Sequence, residues 1–357
     1  MKRRSFLTGI GSCLMAPLAT LATSDQSRRK VAPASDLSLI PAAALHTGDT
    51  VGLITPASYV SDPDRLALVE RTIKHFGLKF KIGKNVRKRT GYLGGSIQER
   101  VDDLHDMFGD TEVRAILALR GGYGSAHLLD RLDYRLIRAH PKIFLGYSDI
   151  TALHLAIHKL AGLITFHGPI ALSRFSGFTQ TYFRKALFEA KPLGAITNPP
   201  DSNPLRPEHT LRVVRPGRGR GRLIGGNLTL ISTTMGTPYE IDTRGRLLFL
   251  EDVDEEPYRI DRMLTQLRLA GKFDEVAGVI IGECRNCRPR DYQPSFESTF
   301  SFGEVLDNVL GDLKAPVLSG LTIGHTDDQL TLPIGVMATL DAERGEIIIE
   351  EAAVRAR

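Results

Sequence analysis

Between residues 113 and 134 the chain reads VRAILALRGGYGSAHLLDRLDY, and this stretch narrows what the rest can fold into. A buried strand, Val113 to Leu119, runs into a turn with glycines at 121, 122 and 124, then into a helix that opens at Ser125. So tight a turn needs backbone angles and close approaches that a Cβ forbids. The spacing predicts a serine at the apex, its hydroxyl exposed beside the first helical N–H groups and the positive end of the helix dipole. On these residues alone two readings stand. The turn is a nucleophile elbow whose donors suit an oxyanion, or it is a glycine-rich connection that packs a helix or cradles a phosphate. G-G-Y-G-S has neither the following lysine of the Walker pattern nor the form G-x-S-x-G.

Around this turn, apolar strands alternate with amphipathic helices. TVGLITPAS reads as a first strand and loop, DPDRLALVERTIKHFG as a helix and LKFKIG as a second strand. Ser96 and Glu99 form a capping box for a helix running to Phe108. KIFLGYS is a strand, a helix follows from about Asp149 to Leu160, and LITFHGP is a strand again. Such alternation predicts a parallel sheet with helices on both faces and a site at the carboxyl ends of its strands. With 357 residues, 42% of them hydrophobic, the chain can bury a core of more than one domain. An N-terminal α/β domain is expected over 45–175. An interdomain linker rich in Pro, Gly and Arg follows over 176–221, and a shorter-stranded, mixed C-terminal domain over 222–357. In the latter, RLLFLEDVDEEPYRIDRMLTQL gives a strand ending at Glu251 and a helix starting near Pro257. MATLDAERGEIIIEE gives a closing hairpin.

The formal charge of +5 does not point to nucleic acid, because the basic residues gather at the N-terminus and around 206–222 without interleaved aromatics. MKRRSFLTGIGSCLMAPLATLATS places Arg3 and Arg4 before an apolar run of small residues, the layout of a twin-arginine export signal. The signal is assigned to 1–34, with cleavage after Ala22 or Ala34; Cys13 sits too early for a good lipobox. The expectation is a soluble, exported, periplasmic protein, a cytoplasmic one being the alternative. No later run approaches the length of a membrane span. Cys284 and Cys287 then remain as a C-x-x-C pair, either a local disulfide staple or two free thiols. No second ligand pair stands near enough to them for a zinc site. His154 and His158, four apart on a helix, lack the glutamate of a metalloprotease motif and read as a solvated or half-buried face.

A nucleophilic serine needs a base, and the base an orienting partner. His325 lies after Gly324 in a loop before a strand, and Glu251 is a carboxylate carried to a strand end. Spacing alone does not select them from ten histidines and the acidic run Asp252, Glu255 and Glu256.

The segments LRGGYGSAHLL, GYSDITALH, HGP, GGNLTLI, LFLEDVDEEPYRIDRMLTQL and GHTDDQLTLPIG, in this order, resemble the motif set of the LD-carboxypeptidases. That family comprises the muramoyltetrapeptide carboxypeptidases and the microcin-immunity carboxypeptidases. The resemblance runs from about Gly48 to Glu351. It implies an α/β fold, with an N-terminal flavodoxin-like, class I glutamine amidotransferase-like parallel sheet domain and a C-terminal mixed α+β, β-barrel-like domain. It further implies a Ser-His-Glu triad placed on Ser125, His325 and Glu251, with an oxyanion hole at the N–H groups of Ala126 and Gly95 and substrate contacts at Asn227 and Tyr123. No metal and no cofactor is implied, and a homodimer is. The implied reaction removes the terminal D-alanine of a murein tetrapeptide. Cleavage of a peptide-nucleotide antibiotic and non-catalytic binding of murein peptides are the alternatives. Two departures stand out: the apparent export leader, and a long segment, RNCRPRDYQPSFESTFSF, between the Glu and His motifs.

Overall fold

The computed structural model describes residues 37–357 except 61, 201, 202, 204 and 206. The export signal assigned to 1–34, with Cys13 and both cleavage positions, lies outside the described residues. After β1 (Ala42–Ala43) come β2 (Thr50–Ile54), α1 (Pro63–His75), β3 (Lys79–Ile82), α2 (Ile97–Gly109) and β4 (Val113–Ala118). Then follow α3 (Tyr134–Ala139), β5 (Ile143–Gly146), α4 (Thr151–Ala161) and β6 (Thr165–His167). β2 to β6 pair in parallel, as the alternating pattern requires. The capping box at α2 forms: Ser96 Oγ accepts from the N–H of Glu99, whose carboxylate accepts from the N–H of Ser96 at 2.8 Å. α4 is buried on almost every side, from Thr151 to His158 and at Ala161, a helix held inside the molecule.

The segment expected to be a linker is structured. It holds α5 (Gly177–Phe188), β7 (Pro192–Ile196), β8 (Arg212–Arg215) and the first part of β9 (Arg218–Asn227). The tract RGRGR is a strand with period two: its arginines turn out to Asp341, Glu350 and Glu351, and its glycines turn in. A Cβ on Gly219 would lie 1.8 Å from the Ala277 carbonyl oxygen, and one on Gly221 2.4 Å from that of Gly245. The alternation of a strand is therefore present but disguised, since close packing forces glycine where an apolar residue would have announced it.

Beyond β9 come α6 (Leu228–Thr233), β10 (Arg246–Glu251), α7 (Pro257–Leu269), β11 (Gly278–Gly282), α8 (Phe302–Leu310) and β12 (Val317–Leu321). The chain closes with β13 (Leu332–Ile334), β14 (Met337–Asp341), β15 (Glu346–Ala352) and β16 (Val354–Arg355). α8 opens with its own capping box, Ser301 and Glu304, at the end of the long segment RNCRPRDYQPSFESTFSF. The second sheet runs β7-β15-β14-β9-β10-β11-β12-β8, parallel from β9 to β12 and antiparallel towards both edges, and β14 and β15 form the expected hairpin. The first sheet runs β13-β6-β5-β4-β2-β3, so a strand from late in the chain, β13, is added antiparallel to β6. The architecture is α/β, a parallel-rich sheet joined to a mixed one.

Candidate active site

β10 delivers Glu251 to a strand end where its side chain is wholly buried. The carboxylate Oε2 accepts a hydrogen bond from His325 Nδ1 at 2.7 Å. Two glycines make room for it. A Cβ on Gly324, φ +83°, would lie 2.0 Å from Glu251 Oε2, and one on Gly282 3.0 Å from Glu251 Cβ. The G-H pair is thus a packing requirement: glycine lets the carboxylate slide under the histidine. Behind Glu251, buried His167 places Nε2 3.8 Å from Oε1, and burial keeps that imidazole well below its ordinary pKa and neutral.

The loop carrying His325 is clamped downstream. Asp327 lies 3.1 Å from Arg174 and 3.4 Å from Arg285. Asp328 meets Ser176, and at 3.2 Å His209, which in turn bonds Glu283. Burial alone would lower the pKa of His325. The hydrogen bond and charge of Glu251, with Asp252 and Asp254 beyond it, outweigh burial and leave it above the ordinary histidine value.

The serine next in chain to the tyrosine that packs on His325 is not the one expected from the glycine turn. Ser125 opens only a four-residue 3-10 turn, Ser125–Leu128, and is entirely buried. Its Oγ donates to the Asp149 carbonyl at 2.5 Å, while the Asp149 carboxylate accepts from the N–H groups of Ser125 (2.8 Å) and Gly124 (3.2 Å). Gly124 takes up the left-handed angle, φ +112°, and Ser125 tucks inward as a clasp. The elbow lies at the end of the neighbouring strand. β5 runs through Gly146 and Tyr147 into Ser148, which holds φ +63° and is half-buried; the 3-10 turn Ser148–Ile150 and α4 follow. A non-glycine residue there costs about 1–3 kcal/mol, and such strain concentrates at functional positions. The Tyr147 ring meets the His325 ring edge-on, centroids 4.9 Å apart.

With Ser125 sealed, the assigned donors Ala126 and Gly95 lose their oxyanion. Ala126 is exposed, and Gly95 precedes the cap of α2, where its Cβ would meet Glu99 Oε2 at 2.9 Å. The glycine turn instead passes beside Ser148: a Cβ on Gly121 would lie 3.0 Å from Ser148 Cβ and 3.3 Å from its Oγ. Buried Arg100 holds the turn there, donating to the carbonyls of Pro56 and Gly124, each at 2.8 Å. The sequence carried a weaker sign of this elbow in GYSD, an apolar strand running straight into a serine and a helix, without glycines after it to draw attention.

Asn227 caps α6 through Leu230 N and binds Asp252 at 3.2 Å, a scaffold role. Tyr123 is exposed on the rim, edge-on to Tyr92 and to His127. Asp252 accepts from Thr229, leaving Glu251 as the acid that reaches His325. Cys284 and Cys287 are free, buried thiols; Cys284 is pushed far up by its hydrogen bond to Cys287 and by burial. His154 and His158 form no solvated face. Both are buried, with pKa values pushed down to about 4, and His154 Nε2 lies 2.9 Å from the Gly146 carbonyl oxygen. Among the described residues no group of three or more His, Cys, Asp or Glu is placed to hold a metal ion.

A parallel-rich sheet that ends in a strained serine, joined to a mixed sheet that supplies a buried Glu-His pair, defines a serine-type carboxypeptidase of the LD-carboxypeptidase class. The chain belongs to the LD-carboxypeptidase family: residues 51–168 match its N-terminal domain and 220–340 its C-terminal domain. It is similar to a probable murein peptide carboxypeptidase of Bacillus subtilis, 42% identical over 86% of this chain and 93% of the relative. Among solved structures it resembles the muramoyltetrapeptide carboxypeptidase of Oxalobacter formigenes, with TM-score 0.73 and 28% identity over 86% of this chain and 100% of that one. It also resembles the microcin C7 self-immunity protein MccF in complex with aspartyl sulfamoyl adenosine. That likeness has TM-score 0.79 and 30% identity over 88% of this chain and 99% of that one.

Proposed function

We propose that this chain removes the terminal D-alanine from murein tetrapeptides, with Ser148 as nucleophile, His325 as base and Glu251 as the carboxylate that orients it. The observation that carries this reading is the strained Ser148 at the end of β5, whose neighbour Tyr147 packs against the imidazole that Glu251 holds. Ser148 Oγ attacks the carbonyl carbon of the penultimate diamino residue and passes its proton to His325 Nε2, Nδ1–H staying on Glu251. The carbonyl oxygen gains the negative charge, received by the N–H of Asp149 and by the Gly121-Gly122 turn. His325 returns the proton to the departing amine, the C–N bond breaks, and water activated by the same imidazole frees the acyl group from Ser148.

The test is mass spectrometry of a disaccharide tetrapeptide incubated with the protein, with a tripeptide control, a peptide-nucleotide sulfamate and a parallel tube containing EDTA. Loss of one alanine from the tetrapeptide alone, unchanged by EDTA, is expected. Ser148→Ala should lose roughly three or more orders of magnitude in kcat. Ser125→Ala should keep most activity and lose about 0.5–1.5 kcal/mol of stability, the net worth of one buried hydrogen bond. Full activity in Ser148→Ala would sink the assignment. Turnover of the peptide-nucleotide only would move the chain to the immunity-type reaction, and binding without turnover to a murein-peptide receptor. The leader supports export to the periplasm, which fractionation of cells expressing the full chain would settle. A homodimer is the expected assembly, to be read by analytical ultracentrifugation.

A further inference from the structure

At the far end of α4 from Ser148 lies a cavity of about 630 Å³ between the last turn of that helix, the strands β9 and β10 and the loop that joins α6 to β10. Lys159 stands eight residues along α4 from Thr151, about 12 Å down the axis, and neither Ser148, Glu251 nor His325 lines the cavity, so it is distinct from the active site. Five cationic side chains line it, Lys159, Arg222, Arg244, Arg246 and Lys272, against the two carboxylates Glu240 and Asp242.

The pairing is uneven. Arg222 is bonded to Glu351 at 2.8 Å, Arg244 to Asp242 at 2.9 Å, and Lys272 to Glu240. Each of these carboxylates therefore has a cation of its own. Among the described residues Lys159 donates to a backbone carbonyl, that of Glu240, at 2.9 Å, and to no carboxylate. Arg246 has no hydrogen-bonded carboxylate among the described residues, and stands in register with Arg222 on the adjacent strand. Like charges directly opposite on a sheet are destabilising, and Lys159 and Arg246 feel Glu240 and Asp242 only as carboxylates already bonded to Lys272 and Arg244. Burial accordingly lowers the pKa of both Arg246 and Lys159. The neighbouring His158 registers the same field: burial first, then Arg246 and Arg222, hold it down to about 4. The cavity thus carries two cations in excess and room for a ligand to offset them.

We propose that this cavity is a second ligand site, which takes a compact dianionic oxyanion, a phosphate group or a pair of carboxylates, between Arg246 and Lys159. An ion of this kind would also relieve the Arg222-Arg246 apposition, giving it a reason to bind here rather than at the many paired arginines on the surface.

The test is isothermal titration of the full chain with inorganic phosphate, then succinate, then chloride as control, at constant ionic strength. Saturable phosphate binding is expected in the wild type and, undiminished, in Ser148→Ala, which separates it from the active site. Arg246→Gln and Lys159→Met should each weaken it at least tenfold. In chloride buffer Arg246→Gln should melt higher than the wild type, because one of the excess cations and its apposition to Arg222 are gone, and phosphate should no longer raise its melting temperature. Preference for succinate over phosphate would identify the dicarboxylate source. No saturable binding at tens of millimolar phosphate or succinate, or an affinity unchanged in both variants, would overturn the proposal. Were Arg246→Gln not to fold, Lys159→Met carries the same comparison.

Discussion

Ser125 is hydrogen-bonded to Asp149, the residue next in chain to Ser148, and the environments of the two serines differ. Ser125 spends its hydroxyl on a backbone carbonyl and its N–H on a carboxylate, which fixes the glycine turn. Ser148 takes the strained angle. At this scale the acid limb of activity is the most direct consequence of the site. As the proposed base His325 must be neutral to accept a proton, and its pKa in the free protein is raised above the ordinary histidine value. The kcat/KM of the wild type should therefore climb with pH through a midpoint above about 6.5. Glu251→Gln removes the charge that raises it. The midpoint should fall below the wild-type one and the plateau should drop by orders of magnitude, since the imidazole loses the group that holds its tautomer. A midpoint that does not move in a pH-rate series would mean that His325 is not the group titrating.

Elements differ in how plainly their residues announce them. β2, β4, β5, α1 and α2 follow from apolar runs and caps because their packing is of the common kind, one buried face or two. β9 escaped because the chains beside it come so close that only glycine fits. The strained Ser148 was passed over because three conspicuous glycines precede the buried Ser125, while GYSD offers only an apolar strand running into a serine, and its backbone angle is set by tertiary contacts. Glu251 and His325 became readable only through the whole motif set, for nothing in their separation of 74 residues says that they touch. β9 also supplies a stability prediction. Gly225 has φ +151°, and a Cβ there would lie 1.8 Å from the Phe249 carbonyl oxygen, backbone that cannot step aside. Gly225→Ala should lower stability by about 3 kcal/mol or more, past the usual range for overpacking. Chemical denaturation would show it, and a loss under 1 kcal/mol would contradict the packing.

Seen as a whole, the described chain belongs to one compact unit. The two sheets are bound by the crossing of β13 to β6 and by α4, which packs against both β6 and β9. Far-UV and near-UV circular dichroism should therefore lose signal at one shared temperature. Two separated transitions would mean that the sheets fold independently. Tyr292, Phe296 and Phe300 stand exposed on the long segment before α8, away from these ties.

The crossing strand also sets a clock. β13 begins roughly 165 residues after β6 ends, and until it arrives the first sheet keeps an open edge. At roughly 5–20 residues per second of synthesis, that edge waits on the order of 10–30 s. Glu251 and His325 are added during the same interval, so on the proposed mechanism a nascent chain displays Ser148 long before it owns the base. The ribosome thus delivers the hydrolase unarmed, and the strand that closes the sheet follows the last part of the machinery by only a few residues.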